Sequence, residues 1–158
     1  MKSWSLIARM LAAGGSCALV SVIRTQGSAP REEGARMVVG HRGFHGTIGG
    51  GALEWKALAL AQALLDKPRQ VKIFAQSLGP DLGQCCGGRV TLAVESFDAT
   101  CLTEVEAYAA REATGPFTVT GRSHVCCRNS RARPPQPPAR TTAFRTISRC
   151  ITPGNTGC

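Results

Sequence analysis

The chain of 158 residues can form one domain with a hydrophobic core and is too short for two domains of ordinary size. Its net charge of +9 is concentrated at one end: residues 121–158 contain seven arginines and neither lysine nor carboxylate, so residues 1–120 carry an excess of only +2. This distribution argues against a nucleic-acid-binding domain, and no apolar run is long enough to cross a membrane.

Eight cysteines raise the question of a secreted, disulfide-bonded protein. Cys85 and Cys86 are adjacent, which is a poor geometry for pairing with each other, and no Cys-x-x-Cys motif occurs. The apolar run near the N-terminus faintly resembles a signal peptide but is interrupted by Arg9. The sequence therefore favours a reducing compartment and a cytoplasmic protein.

Apolar periodicity predicts an α/β fold, a single domain with a mixed β-sheet of about six strands and helices packed on it. Ser3 is the predicted N-cap of the first helix. In chain order, the predicted elements are a helix at 3–13, a strand at 17–23, a hairpin of strands at 36–40 and 43–46, a helix from Ala52 closed by Pro68, strands at 71–75 and 89–95, a helix at 103–113, and a strand beginning at Phe117.

Residues 121–158 form a basic tail rich in arginine and proline. The tail has no apolar periodicity and cannot offset the entropy of ordering, which costs roughly 1–2 kcal/mol per residue for the backbone alone. We therefore expect a domain at residues 1–120 followed by a disordered tail. Because this composition is also typical of a GC-rich gene read in a shifted frame, a frameshift product is a further hypothesis.

A glycine-rich turn at residues 46–54 is the most informative stretch of the chain. The run Gly49–Gly51 comes directly before the helix predicted from Ala52, so bare backbone and the positive end of a helix dipole would face an anion such as phosphate. The alternative is that the glycines only let a strand turn closely into a helix. Glu54 is either a catalytic base or, as we favour, a carboxylate that complements the dipole of the first helical turn.

The second unusual stretch is Gly-Gln-Cys-Cys-Gly-Gly at residues 83–88. We predict an exposed loop, in which Arg89 favours the thiolate form of the cysteines. Thiolates bind soft metals and can carry sulfur as a persulfide. The alternative is that both cysteines act only as small hydrophobic residues. A zinc site with His41 and His45 is disfavoured, because the usual cysteine spacing is missing.

Four motifs in this order resemble the N-terminal domain of the xanthine dehydrogenase accessory proteins, the XdhC/CoxI family, over about residues 4–98. They are GSAPR at 27–31, GARM at 34–37, GTIGGGALE at 46–54 and GQCCGG at 83–88. The resemblance implies an assembly chaperone with no catalytic residues of its own. Such a chaperone binds molybdenum cofactor (molybdopterin) as cargo, protects it during sulfuration by a cysteine desulfurase, and inserts it into a xanthine dehydrogenase-type molybdenum hydroxylase.

If the resemblance holds, the phosphate of the cofactor would contact the glycine turn and its metal end the cysteine pair. The arginines would add charge-assisted hydrogen bonds to an anion. Cys85 and Cys86 are the expected metal ligands. The residues expected to bind the cofactor are Arg31, Arg36, Thr47, Gly49, Gly50, Gly51, Gln84, Cys85 and Cys86.

This chain also departs from the family pattern. Members usually continue into a Rossmann-like domain after the position of Phe117, whereas here the basic tail follows. We therefore expect a truncated or frameshifted member. The alternative function is a phosphate- or nucleotide-binding enzyme domain that uses the Gly49–Gly51 turn, with Glu54 or a cysteine in catalysis. The sequence leaves open whether the chain forms a homodimer.

Overall fold

The computed structural model describes residues 2–67, 69–79, 87–117 and 119. A short 3₁₀ turn, Ala99–Cys101, precedes the last helix. In chain order the elements are α1 (Ser3–Ala12), β1 (Cys17–Gln26), β2 (Arg36–Gly40), β3 (Gly43–Gly46), α2 (Gly51–Gln62), β4 (Val71–Ser77), β5 (Arg89–Phe97) and α3 (Leu102–Thr114). The predicted combination of helices packed on a sheet is confirmed.

The described strands form a five-stranded sheet in the order β3-β2-β1-β5-β4. β1 is central, because Cys17 pairs with Gly40 of β2 on one side and with Phe97 of β5 on the other. The expectation of a mixed sheet needs correction, since all pairings of these five strands are antiparallel. The reason is the path of the chain. After β3 at one edge of the sheet, α2 carries the chain to β4 at the other edge. β5 then runs back antiparallel to β4 and pairs with β1 at the centre. The strand predicted from Phe117 lies partly outside the described residues.

Both faces of the sheet are covered by helices. Side chains alternate along each strand, so neighbouring residues of β1 belong to opposite layers. Val20 belongs to a buried cluster with Leu53 of α2. Leu19 belongs to a second cluster with Trp4 of α1 and Tyr108 of α3, whose ring centroids are 4.7 Å apart. The core is therefore built in two layers, one on each side of β1.

The start of α1 differs from the prediction. Lys2 is the N-cap residue, whereas Ser3 is the first helical residue and is 1% exposed. The backbone N–H groups of Trp4 and Ser5 donate to the carboxylate of Glu112 on α3, at 3.2 and 3.0 Å. Glu112 of α3 therefore caps the start of α1, a role that was expected of Ser3. The same hydrogen bonds connect α1 to α3.

Several other element boundaries differ by a few residues from those predicted, whereas those of β2 and β3 agree. β1 and β5 extend beyond their predicted ends to Gln26 and Phe97, and α2 begins at Gly51. Pro68, which was expected to close α2, lies outside the described residues. None of the described helices has the length and apolar composition of a membrane span.

Candidate functional site

One end of the sheet holds the connections that carry the predicted motifs. Here β1 ends opposite the start of β5, where Gln26 pairs with Arg89, and β4 ends at Ser77, which also pairs with Arg89. β3 runs toward the same end of the sheet and stops at Gly46, which pairs with Met37. The β1–β2 loop, the glycine turn and the β4–β5 connection therefore leave their strands toward the same end of the sheet.

The β1–β2 loop lies between the other two motifs. Ser28 forms a bridge with Gly87, and a Cβ atom on Gly88 would lie 2.0 Å from the carbonyl oxygen of Ser28. On its other side, a Cβ atom on Gly49 would lie 2.6 Å from Cγ of Pro30. The loop therefore packs against the start of β5 and against the glycine turn at once.

The glycine turn owes its composition to its backbone path. Gly49, Gly50 and Gly51 have φ angles of +127°, +76° and +64°, which residues with side chains rarely adopt. Together with the contact of Gly49 and Pro30, these angles support the alternative that the glycines serve close packing of the turn.

The carboxylate of Glu54 accepts hydrogen bonds from the donor groups of this turn. Its Oε2 accepts hydrogen bonds from the Thr47 hydroxyl at 2.5 Å and from the N–H groups of Ile48 and Gly50 at 3.0 and 3.2 Å. Burial alone would raise the pKa of Glu54, but the hydrogen bonds from Thr47, Ile48, Gly50 and Gly49 outweigh it and lower the pKa. These contacts support the view that Glu54 complements the start of the helix, and they leave the turn partly filled by the protein's own anion.

A cleft of about 590 Å³ opens beside the β1–β2 loop. It is bounded by the start of α1, the loop, the end of β3 and the segment that follows α3. Three of the predicted cofactor-binding residues line it together: Arg31, Arg36 and Thr47. The lining also includes Lys2, Ser3, Glu32, Glu112 and Phe117.

The arginines of the cleft differ in their surroundings. Burial lowers the pKa of Arg36, and the carboxylates of Glu112 and Glu95 oppose this shift. The Arg36 guanidinium also lies 5.8 Å from the centroid of the Trp4 ring. Arg31 is exposed, and its side chain forms no hydrogen bond or ion pair with any described residue. Arg36 is therefore held by the protein itself, whereas Arg31 is available to a ligand.

The structure describes only the residues on either side of the predicted cysteine site. Gln84, Cys85 and Cys86 lie outside the described residues. The N–H of Leu78 donates to the carbonyl of Gly88 at 2.7 Å, so the described residues on either side of this segment meet at the end of the sheet where Gln26 pairs with Arg89.

Two further cysteines lie in the buried core. Cys17 and Cys101 are both buried, and burial, with a smaller effect of Cys101, raises the pKa of Cys17 to about 12. Cys17 is therefore a thiol at neutral pH and a poor nucleophile. Within residues 2–67, 69–79 and 87–117, no three His, Cys, Asp or Glu side chains are grouped to hold a metal ion.

Four residues that line the cleft were not predicted as site residues. Lys2 and Ser3 belong to the start of α1, and Glu112 and Phe117 to the end of α3 and the segment after it. They meet because α1 packs against α3. This contact joins the two ends of the domain, and no local motif encodes it.

Fold and site together define an α+β domain in which a cationic cleft and a cysteine-bearing connection share one end of an antiparallel sheet. Residues 10–74 match the model of the XdhC and CoxI family. Three of the four motifs lie in this segment, and the resemblance drawn from them is confirmed.

Comparison with solved structures supports the fold. The chain is similar to the crystal structure of a xanthine dehydrogenase from Bacillus halodurans, with a TM-score of 0.60 and 22% sequence identity. The match covers 70% of this chain and 35% of that chain, so the present chain corresponds to about a third of the longer protein. No curated protein matches the sequence.

Proposed function

We propose that the chain is an accessory protein for a xanthine dehydrogenase-type molybdenum hydroxylase and not an enzyme. In this role it binds molybdenum cofactor as cargo, shields it while a cysteine desulfurase sulfurates it, and passes it to the hydroxylase. The match of residues 10–74 to the XdhC and CoxI family supports the accessory role.

The observation that carries the proposal is the meeting of the family motifs beside one cleft. Arg31, Arg36 and Thr47 come from separate stretches of sequence and line the same space. Its volume of about 590 Å³ lies within the range of small-molecule sites, roughly 300–1,000 Å³. A ligand of cofactor size therefore fits at the place where the motifs converge.

The residues present suit the chemistry of this cargo. The cofactor bears a phosphate, for which the cations of the cleft are suitable partners. Its metal centre favours sulfur ligands, and Cys85 and Cys86 directly precede Gly87, which bridges to Ser28 of the β1–β2 loop. The two kinds of group are thus connected to the same end of the sheet.

The alternative, a phosphate- or nucleotide-binding enzyme domain built on Gly49–Gly51, has less support. Two N–H groups of that turn already donate to Glu54, whose charge would repel a bound phosphate. The same hydrogen bonds lower the pKa of Glu54, although burial opposes them, and a lowered pKa does not suit a general base.

The test is retention of the cofactor by the purified full chain. The protein is incubated anaerobically with molybdenum cofactor, passed through gel filtration, and assayed for bound molybdenum and pterin. We expect stoichiometric retention by the wild type and loss of most of it in the double variant Cys85→Ser/Cys86→Ser.

The sequence offers a matched control for this experiment. Cys126 and Cys127 form a second adjacent pair, outside the four motifs, so Cys126→Ser/Cys127→Ser should retain as much cofactor as the wild type. A wild-type protein that retains none would refute the proposal. Retention that survives in Cys85→Ser/Cys86→Ser would remove the cysteine pair from the site.

A further inference from the structure

The cleft contains two cations that have no partner among the described residues. Lys2 and Arg31 both line it, and neither side chain forms a hydrogen bond or an ion pair within the described part of the chain. Both are exposed, so an incoming anion can reach them without breaking an existing contact. Arg36, in contrast, already faces Glu95 and Glu112.

The glycine turn is the competing place for an anion, and it is the less favourable one. Glu54 accepts hydrogen bonds from the N–H groups of Ile48 and Gly50, and from the hydroxyl of Thr47. A phosphate bound there would have to displace this carboxylate or lie beside it. Either choice costs free energy that binding in the cleft avoids.

We infer that the cleft binds the phosphate of a phosphomonoester through Lys2 and Arg31, and that the glycine turn does not. The identity of the ligand as molybdenum cofactor rests on the proposed function, whereas the place of the phosphate does not. With the phosphate in the cleft, the rest of the ligand can extend along the β1–β2 loop, which reaches Gly87 through its bridge to Ser28.

The two carboxylates of the cleft limit the affinity without cancelling it. Glu112 accepts hydrogen bonds from the N–H groups of Trp4 and Ser5 and from the Ser5 hydroxyl, so its charge is largely engaged. Glu32 is exposed and screened by solvent. Three cations then face two carboxylates, and phosphate binding should weaken as the salt concentration rises.

The experiment is a titration of the full chain with inorganic phosphate and with adenosine monophosphate, followed by the backbone amide signals in NMR spectra. We expect the amides of Gly34 and Gly115, which line the cleft, to shift, and those of Ile48 and Gly50 to remain in place. Shifts confined to Ile48 and Gly50 would overturn the inference.

Variants give a second readout. We expect Arg31→Ala to weaken phosphate binding about tenfold, the effect of losing one charge-assisted contact. Lys2→Ala should also weaken it, by a smaller factor. Arg42→Ala removes an equally exposed arginine from the β2–β3 turn at the other end of the sheet, and should bind like the wild type. Equal binding by Arg31→Ala and Arg42→Ala would overturn the inference.

Cofactor retention by the same variants separates this inference from the proposed function. If the wild type and Arg31→Ala retain the cofactor equally well, this result supports the proposed function and overturns the inference. A wild type that binds phosphate through Arg31 but retains no cofactor would support the inference for another phosphomonoester and refute the function. Phosphate binding that shifts Gly50 in the wild type and is unchanged in Arg31→Ala would assign the phosphate to the turn and overturn the inference.

Discussion

The side chain of Glu54 accepts the hydrogen bonds that the glycine turn could otherwise offer to an anion. A hydroxyl and two backbone N–H groups donate to its carboxylate. Burial alone would raise the pKa of Glu54, but these hydrogen bonds lower it below that of the unfolded chain. A group of this kind stabilises the folded state above its unfolded pKa, and the contribution is lost as the pH falls through the folded pKa.

We therefore predict a pH-dependent effect of Glu54→Gln. At neutral pH the free energy of unfolding should fall by about 1 kcal/mol, the size of a lost helix-capping interaction. The difference from the wild type should shrink as the pH falls below the ordinary glutamate pKa of 4.5, because the wild type then loses the same charge. Urea denaturation at a series of pH values measures both quantities.

Glu106→Gln is the control for this prediction, because Glu106 is an exposed carboxylate on α3. Its free energy of unfolding at neutral pH should stay close to that of the wild type. A difference between Glu54→Gln and the wild type that stayed constant down to acidic pH would show that the charge of Glu54 does not stabilise the turn.

At the scale of single residues, the sequence was informative where the partner is near in the chain. Glu54 follows its turn directly, so its role at the helix start could be predicted. Glu112 accepts a hydrogen bond from the N–H of Trp4 across a separation of 108 residues, and nothing near Ser3 indicates this partner. The sequence likewise did not indicate that Arg36 faces two carboxylates and that Arg31 pairs with none among the described residues. Both facts depend on where distant carboxylates lie in the fold.

Among the elements, the β1–β2 loop and the start of β5 approach each other backbone to backbone. A Cβ atom on Gly88 would lie 2.0 Å from the carbonyl oxygen of Ser28 and 2.7 Å from that of Gln26. No change of rotamer can relieve these contacts, since both oxygens belong to the backbone. We predict that Gly88→Ala lowers the free energy of unfolding by about 1–3 kcal/mol, measured by urea denaturation.

Gly79→Ala tests whether the effect is specific to that contact. Gly79 lies on the other side of the same connection, and a Cβ atom there would have no heavy atom within 4 Å. Its stability should remain close to that of the wild type. Similar losses in Gly79→Ala and Gly88→Ala would mean that the backbone approach at Ser28 is not what requires glycine.

Most elements could be predicted because their signals are local. The hairpin of β2 and β3 was predicted with the bounds that the structure has, since alternation and a short turn define it. The end of β1 was placed too early, because Arg24, Thr25 and Gln26 are polar and resemble a loop. Their pairing with β5 makes them a strand, and pairing between distant segments leaves no local pattern.

For the whole molecule, the direction and order of the strands could not be predicted from the sequence. They depend on α2 crossing the sheet from β3 to β4, and on β5 pairing with β1 at the centre. The same topology assembles the candidate site. The individual motifs were visible in the sequence, but their meeting beside one cleft, with Lys2 and Glu112 in its lining, follows from long-range packing.

The core also predicts which part of the chain is needed for folding. Among the described residues, both buried clusters lie between Trp4 and Val119, and the sequence of residues 121–158 has no apolar periodicity. We therefore expect a chain of residues 1–120 to unfold cooperatively, with a midpoint within about 3 °C of the full chain, less than the shift expected from a loss of 1 kcal/mol. Calorimetry of both chains measures this. A much lower midpoint for the shorter chain would show that residues 121–158 stabilise the domain.

The central position of β1 has a consequence for the newly made protein. The ribosome produces β1 early, but the strand that covers one of its sides, β5, ends only at Phe97. Until then the N–H and C=O groups along that side have no partner strand and can pair with other chains. Each nascent chain thus passes through a stage at risk of aggregation, and the long separation between β1 and β5 favours slow folding.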